Sequence, residues 1–339
     1  MPTKEQPYLP QTNPELFQVE STLIDFSQVI KDHFGETSMV MMYGSAAFEQ
    51  LGYSEEDIRS SKLDCIIAVP DIKKWQVKHG QRHPEDFPMI AHLIGPNLRS
   101  KMQGKKTWFI HTELPIQDGK YQRKIKVGII EQASLVNDLS NWDQFYIAGR
   151  MQKPTYIAES DQEIQHALYY QTMKQGLHLA LLQSIGGQPL KLRDLYITLS
   201  NLSYTGDTRM KFAEDPNKVA NIVDANKWRY DLMYMSLIKE AESQGLLITQ
   251  SDQIIPFPWL ENHDLLIKTI SQLPLNIIAV LPENWRELEY QQLISLVNKK
   301  LEETVKSSSV AQTIFGLLMV SPTTGINYVA RKLKKARKK

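Results

Sequence analysis

The chain has 339 residues, 42% of them hydrophobic, enough to bury a large core in two domains or in one domain with appendages. Its single cysteine, Cys65, excludes a disulfide framework and a cysteine-based zinc site, and fits a reducing compartment. A net charge of +1 conceals an asymmetry: Arg331 to Lys339 carry seven basic side chains, and removing those seven leaves the first 330 residues at −6. An acidic body with a basic tail argues against nucleic acid wrapped over the folded part and points the tail toward an anionic surface. No apolar run reaches the roughly 18 to 20 residues that span a bilayer.

Residues 1–16, Pro-rich and mixed in charge, read as a flexible arm without the features of a signal or transit peptide. Glu20 to Phe34 predicts an amphipathic helix with Leu23, Phe26, Val29 and Ile30 on one side. The apolar run Met39 to Met42 stops at Tyr43-Gly44-Ser45, and a second run, Cys65 to Val69, is entered through Asp64, so two strands bracket a polar, helix-prone insert. A glycine without Cβ lets backbone approach a phosphate, a serine can hydrogen-bond it, and a carboxylate opposite can hold Mg²⁺. By itself a Gly-Ser pair after a strand is more often a plain turn. Cys65, inside the second run, is expected to be a small core residue. A helix is predicted to begin around Asp71 to Trp75. His79 and His83 have metal-like spacing ahead of Glu85 and Asp86, but Pro84 breaks a helix there and the pair is expected to be solvated.

Lys106 to His111 and Lys124 to Ile130 predict a strand pair across a Gln117-Asp118-Gly119 turn. Asn137 to Arg150 is expected to be helical, ending near Lys153-Pro154 and closing a first domain over residues 17–154. A second domain, 155–260, opens on a capping box, Ser160-Asp161-Gln162-Glu163, and a long helix with Ile164, Ala167, Leu168, Leu177, Ala180 and Leu181 inward. Leu192 to Leu202 and Lys218 to Ala241 predict two more helices, and Leu246 to Ile255 a small hairpin, an arrangement like a winged helix. A winged helix often reads DNA, which the acidic body opposes. The polar loop from Gly206-Asp207 through Arg209 to Asp215 reads, from composition, as a surface loop with local ion pairs. In residues 261–339, Val310 to Val320 and Ile326 to Leu333 repeat apolar positions at helical spacing before the basic tail.

Taken in order, these blocks resemble the mitochondrial-type phosphatidate cytidylyltransferases, also called the mitochondrial translocator assembly and maintenance family. The resemblance runs from about residue 40 to the end. It is carried by Tyr43-Gly44-Ser45 with Gln50 and Gly52-Tyr53, then Leu63-Asp64, Asp71 and Trp75, Gly95-Pro96, and Ile125 to Ile129. Asp138-Leu139 with Trp142, Tyr146 to Arg150, Lys153-Pro154, Leu202 to Tyr204, Gly206-Asp207, Arg209-Met210, Glu214, Lys218-Val219 and Asn221 to Val223 continue it. Ser307 to Ser309 with Gln312, ahead of a basic helix, ends it. Departures from the family pattern fall at Gln76, Pro70, Asp86-Phe87, Ile110-His111 and Ala213, and they bear on the nucleotide pocket more than on the reaction.

The resemblance implies an α+β chain: a nucleotidyltransferase-fold domain, a helical, winged-helix-like domain and a basic C-terminal helix. It implies CMP transfer from CTP to phosphatidic acid, releasing pyrophosphate and leaving CDP-diacylglycerol, a phospholipid precursor of phosphatidylglycerol and cardiolipin. On this reading Tyr43, Gly44 and Ser45 face the nucleotide, Asp64 holds Mg²⁺, and Lys126 offsets phosphate charge. Asp138 or Asp207 completes the metal shell, and residue types do not choose between them. Arg150, Lys153 and Arg209 take the phosphatidate head group, since arginine binds phosphate bidentately. Asp64-Cys65-Ile66 offers one carboxylate where many nucleotidyltransferases carry two. That suits a phosphate monoester acceptor, which is already mostly a dianion at pH 7 with a second pKa near 6. The implied partners are CTP, phosphatidic acid and an anionic membrane surface, with no nucleic acid. The implied location is peripheral, on the cytoplasmic face of a bacterial membrane or the matrix face of a mitochondrial inner membrane. Two other readings are a nucleotidyltransferase with a soluble acceptor, which the basic tail opposes, and a decayed, non-catalytic interaction protein. Retention of Gly44, Ser45, Asp64 and Lys126 together opposes the second.

Overall fold

The computed structural model describes residues 21–48, 61–116, 121–184, 188–207, 216–257 and 263–318. The two apolar runs form β1 (Met39–Tyr43) and β2 (Leu63–Val69), which pair antiparallel. Neither run alternates with polar residues, because both faces of these strands are covered. The predicted strand pair is β3 (Trp108–Ile116) and β4 (Tyr121–Glu131), antiparallel to each other, with β4 parallel to β2. A fifth strand, β5 (Tyr156–Ser160), pairs with β1, giving the mixed order β3-β4-β2-β1-β5. The sheet thus runs past residue 154, where the sequence placed a domain boundary.

One sheet face is covered by α1 (Ser21–Phe34), α2 (Ile72–Arg82) and α3 (Met89–Gln103). Phe26, Ile30 and Phe34 of α1, Ile72 and Trp75 of α2, Phe87, and Ala91 of α3 pack there against Val40, Met42, Cys65, Ile67, Val127 and Ile129. Cys65 is fully buried and burial pushes its thiol up, as a packed core residue requires. The opposite face, with Met39, Met41, Ile66, Ala68 and Ile130, shares one continuous core with the helices that follow.

These begin with α4 (Gln132–Asn141) and a one-turn helix α5 (Ala148–Met151). The expected single helix over Asn137 to Arg150 is therefore broken. Trp142 and Phe145 take left-handed φ values of 57° and 50°, and the intervening backbone turns its N–H groups onto Asp138. The long helix of the second region forms as α6 (Gln162–His166), a π-helical stretch (Ala167–Met173) and α7 (Lys174–Gln183), with all six predicted apolar residues buried. Its capping box does not form. Ser160 ends β5, Asp161 is the N-cap, and its side chain makes no capping bond. Strand β6 (Leu190–Lys191), α8 (Leu192–Asn201), α9 (Lys218–Ser243), β7 (Leu247–Gln250) and β8 (Gln253–Pro256) follow, the strands forming a small sheet of order β6-β8-β7. The chain continues through α10 (His263–Ser271) and α11 (Leu275–Ile278) to a 29-residue α12 (Tyr290–Leu318). Among the described residues no helix is long and apolar enough to cross a membrane. The basic tail from Arg331 lies outside the described residues, as does the arm over 1–16.

Gln152, fully buried, ties the sheet layer to the helices. Its amide donates to the carbonyls of Ala148 (3.2 Å) and Thr172 (3.1 Å), and its oxygen accepts from the Tyr234 hydroxyl at 2.8 Å. A Cβ at Gly176 would stand 2.1 Å from that oxygen. Glycine to alanine inside a helix gains roughly 1 kcal/mol of propensity. Here the gain loses to the eviction of a three-fold bonded amide, since each orphaned buried polar group costs about 1–3 kcal/mol. Gly176→Ala should lower the thermal midpoint by several degrees in calorimetry; an unchanged or raised midpoint would show that Gln152 can move freely.

Candidate active site

Register assembles the site. Tyr43 on β1 lies opposite Asp64 on β2, Asp64 opposite Lys126 on β4, and Lys126 opposite His111 on β3. Partners in register share a face, so a polar row crosses four strands on the face that also carries Met41, Ile66 and Gly128. β1 ends in a turn in which Ala47 and Phe48 donate to the Gly44 carbonyl at 3.0 and 2.9 Å. Gly44 has φ +84°, and a Cβ there would sit 3.1 Å from Asp64 Oδ2. Both the conformation and the approach require glycine. The expected opposition of Gly44 and Asp64 is therefore present.

The helical layer supplies the other wall. Arg150 of α5 donates to the Tyr146 carbonyl (3.0 Å) and hydroxyl (2.9 Å), and lies 4.0 Å above the Tyr146 ring and 5.0 Å from the Tyr43 ring. Lys153 donates to Ser203 Oγ at 2.5 Å and sits 4.3 Å over the ring of Tyr204, which Lys218 at the start of α9 approaches to 5.5 Å. Arg229, also on α9, lies 5.2 Å from the ring of Phe48 in the Gly44 turn. Lys126 rests 4.1 Å over Phe109.

Electrostatics here oppose one carboxylate to several cations. Burial pushes the Asp64 carboxyl above the usual carboxylate range, and Lys126, Arg150, Lys218 and Lys62 each pull it back. His111 is held down to about 4 by burial, Lys62 and Lys126, so it is neutral at pH 7, and Lys62 Nζ lies 3.2 Å from its Nδ1. Burial holds the Tyr43 hydroxyl protonated, with Asp64 adding to and Arg150 opposing that shift. The Tyr43 hydroxyl and the Arg150 guanidinium are buried against each other, and Arg150 is bonded to Tyr146 as well. A wall of cations around Asp64 suits an anionic ligand.

Asp138 is not part of this cleft. It is 2% exposed, and its two oxygens accept the N–H groups of Gln144 and Phe145 (2.9 and 2.7 Å) and of Ile147 and Ala148 (2.8 and 3.2 Å). A carboxylate has about four lone-pair sites. All are used, so the metal role allowed by sequence is replaced by a structural one. Asp207 is buried, donates its N–H to the Tyr204 carbonyl (3.0 Å) and accepts from Ser309 on α12 (3.2 Å). It therefore braces the loop carrying Tyr204. Arg209, with Gln50 and Gly52-Tyr53, lies outside the described residues. Sequence reasoning assigned no role to Lys62, His111, Tyr204, Lys218 or Arg229. Of these, Tyr204 and Lys218 stand in the blocks that carry the resemblance, and His111 at one of its departures, which was the available signal.

The geometry defines a site at the end of a mixed sheet in which, among the described residues, Lys126, Arg150, Lys218 and Lys62 act on the Asp64 carboxylate. Residues 26–335 match the family described as "Phosphatidate cytidylyltransferase, mitochondrial". Proteins of that name from Schizosaccharomyces pombe (29% identity, 86% of this chain and 78% of the relative), Xenopus laevis (25%, 94% and 96%) and Rattus norvegicus (29%, 89% and 92%) align over most of their lengths. The chain belongs to the mitochondrial phosphatidate cytidylyltransferase family.

A raised Asp64 pKa means that its charge is lost on acidification at a higher pH than the ordinary aspartate value of about 3.9. Carboxyl ¹³C NMR, assigned with Asp64→Asn, should show that midpoint. Lys62→Met, which removes one of the cations that lower it, should move the midpoint higher still; a midpoint that stays or falls would refute this charge map.

Proposed function

We propose that the protein is a CDP-diacylglycerol synthase that transfers CMP from CTP to phosphatidic acid on a nucleotidyltransferase-type sheet. The observation that carries this reading is the Tyr43–Asp64–Lys126 register with Gly44 beside Asp64, acted on by Arg150 and Lys218. A phosphate oxygen of phosphatidate attacks the α-phosphorus of CTP, the bond to the bridging oxygen breaks, and pyrophosphate leaves. Gly44 leaves room for the phosphates beside Asp64, and Ser45 lies next to them. Lys126 and Lys218 offset charge on the triphosphate, while Arg150 and Lys153 orient the acceptor. The acceptor is already ionised, so no general base is required, consistent with one carboxylate. Asp64 suits Mg²⁺, which uses one or two carboxylates together with substrate phosphates. When bound it would neutralise charge as the phosphoryl bond breaks.

Purified protein with labelled CTP, Mg²⁺ and phosphatidate vesicles should yield a lipid-soluble labelled product. Asp64→Asn should cost about a hundredfold or more in turnover while leaving the fold intact, in line with the several kcal/mol a catalytic metal supplies. CMP transfer to a soluble alcohol or protein with none to phosphatidate would sink the assignment.

The lipid substrate requires contact with an anionic bilayer, and the outer face of α2 and α3 has the composition for it. Met89 and Leu93 are 81% and 80% exposed, with Ile90, Leu98 and Met102 also exposed on α3 and Val77 on α2. Exposed Lys73, Lys74, Lys78 and Arg82 lie on α2, exposed Glu85 follows it, and exposed Lys101 lies on α3 beyond its non-helical Gly95. Exposed apolar side chains and cations on the same two helices fit the interface of an anionic membrane. This face would act together with the basic tail, giving a peripheral mitochondrial protein. Fully burying two such apolar side chains contributes about 3 kcal/mol or more. Met89→Ser with Leu93→Ser should therefore weaken sedimentation with anionic vesicles about a hundredfold and spare turnover on dispersed short-chain phosphatidate. Unchanged sedimentation would leave the tail as the anchor.

A further inference from the structure

His79 and His83 do not form the solvated pair that their loop-like spacing suggests. His79 is 3% exposed within α2, and a third imidazole, His33, comes from the last turn of α1. Pro84–Asp86 forms a 3₁₀ turn that brings Asp86, 7% exposed, between them. The Nε2 atoms of His33 and His79 each lie 2.8 Å from the same oxygen, Asp86 Oδ2, and all three donor atoms lie within 4.8 Å of one another. The His83 ring stands 3.9 Å from that of His33 and 5.1 Å from that of His79, with its Nδ1 3.2 Å from Glu85 Oε1.

Two further observations bear on what this cluster takes. α1 and α2 both end at it, so it lies at two helix C-termini, where the partial negative charge of terminal carbonyls favours a cation. The rings are also locked: His79 stacks on Trp75 at 4.6 Å and on Phe34 at 5.1 Å, with Phe87 edge-on at 5.9 Å. Asp86 also bonds Thr112, and His83 bonds Glu85, so hydrogen bonding accounts for the carboxylate; it gives no reason for two helix ends to meet where two imidazole Nε2 atoms converge on one oxygen.

We propose that His33, His79 and Asp86 form a second cation site, for a transition-metal dication of the Zn²⁺ class. Two imidazole nitrogens and one carboxylate oxygen suit zinc and its neighbours, whereas Mg²⁺ prefers oxygen alone. Each neutral ring would carry its proton on Nδ1 in place of Nε2, a tautomer change without change of charge. Water would complete a tetrahedron. The site is separate from the Asp64 cleft, because α1 and α2 cover the opposite face of the sheet. Its occupant would clamp α1 to the α2–α3 hairpin, and the inference does not depend on the activity proposed above.

The full chain, stripped with chelator and held in excess Mg²⁺, should be titrated with Co²⁺ and with Zn²⁺. One equivalent of Co²⁺ should give the intense visible absorption of a low-coordinate site, and Zn²⁺ should raise the thermal midpoint by several degrees, since a ligand of the native state alone stabilises it. Both signals should persist in Asp64→Asn and vanish in His79→Ala. Should His79→Ala fail to fold, His33→Ala, at a partly exposed position, makes the same test. Absence of the absorption and of the midpoint shift, or their survival in a folded His33→Ala protein, would overturn the proposal.

Discussion

The cleft depends on one buried carboxylate that never faces it. A carboxylate taken from water must recover its hydrogen bonds, and Asp138 does so by collecting four backbone N–H groups between Gln144 and Ala148. To supply them the chain adopts left-handed conformations at Trp142 and Phe145, each uncommon for a bulky residue. The tight loop that results ends in α5 and delivers Tyr146 and Arg150 to the sheet edge opposite Asp64. Gln152, two residues further on, locks the same segment to Thr172 and Tyr234. Arg150 is thus aimed by backbone that is over-determined at both ends.

Against that wall, the strand ends present the Asp64 carboxylate among cations. Lys62, Lys126, Arg150 and Lys218 all act on Asp64, yet burial still dominates its ionisation. A site in which, among the described residues, four cations act on one buried carboxylate is suited to a polyanion. An enzyme with a hydroxyl acceptor would need a second carboxylate to activate it; a phosphate acceptor makes positioning the larger task. The aromatic rings of Tyr43, Tyr146 and Tyr204 hold Arg150, Lys153 and Lys218 through their π faces, which fixes the cations without neutralising them.

The two faces of the sheet divide the work. One face opens at its end into the polar row and otherwise merges with the helical core. The other is sealed by α1, α2 and α3, whose inner sides hold the histidine cluster and whose outer side carries Met89 and Leu93. β2 belongs to both: Asp64 points to the cleft, while Cys65 and Ile67 pack beneath α1 and α2.

Much was legible in local pattern. The strands at Met39 and Cys65, α1, the helix at Asp71, the β3–β4 pair, the long helix with its six inward residues, α8, α9 and the small hairpin all follow from periodicity and punctuation, which act over a few residues. Gly44 and Asp64 could also be singled out, because a turn glycine and a strand-entry acid are local features, and the ordered blocks carried the family. What pattern could not show was set by contacts far apart in the chain. Asp138 and Asp64 are chemically alike in sequence, and only the fold saturates one with backbone N–H groups and leaves the other facing Lys126. The break at Trp142, the unused capping box at Ser160, the fifth strand beyond residue 154, and the meeting of His33 with His79 and Asp86 share that cause. A side chain's role follows from what desolvates and bonds it, and those partners lie tens of residues away, where no local spacing records them.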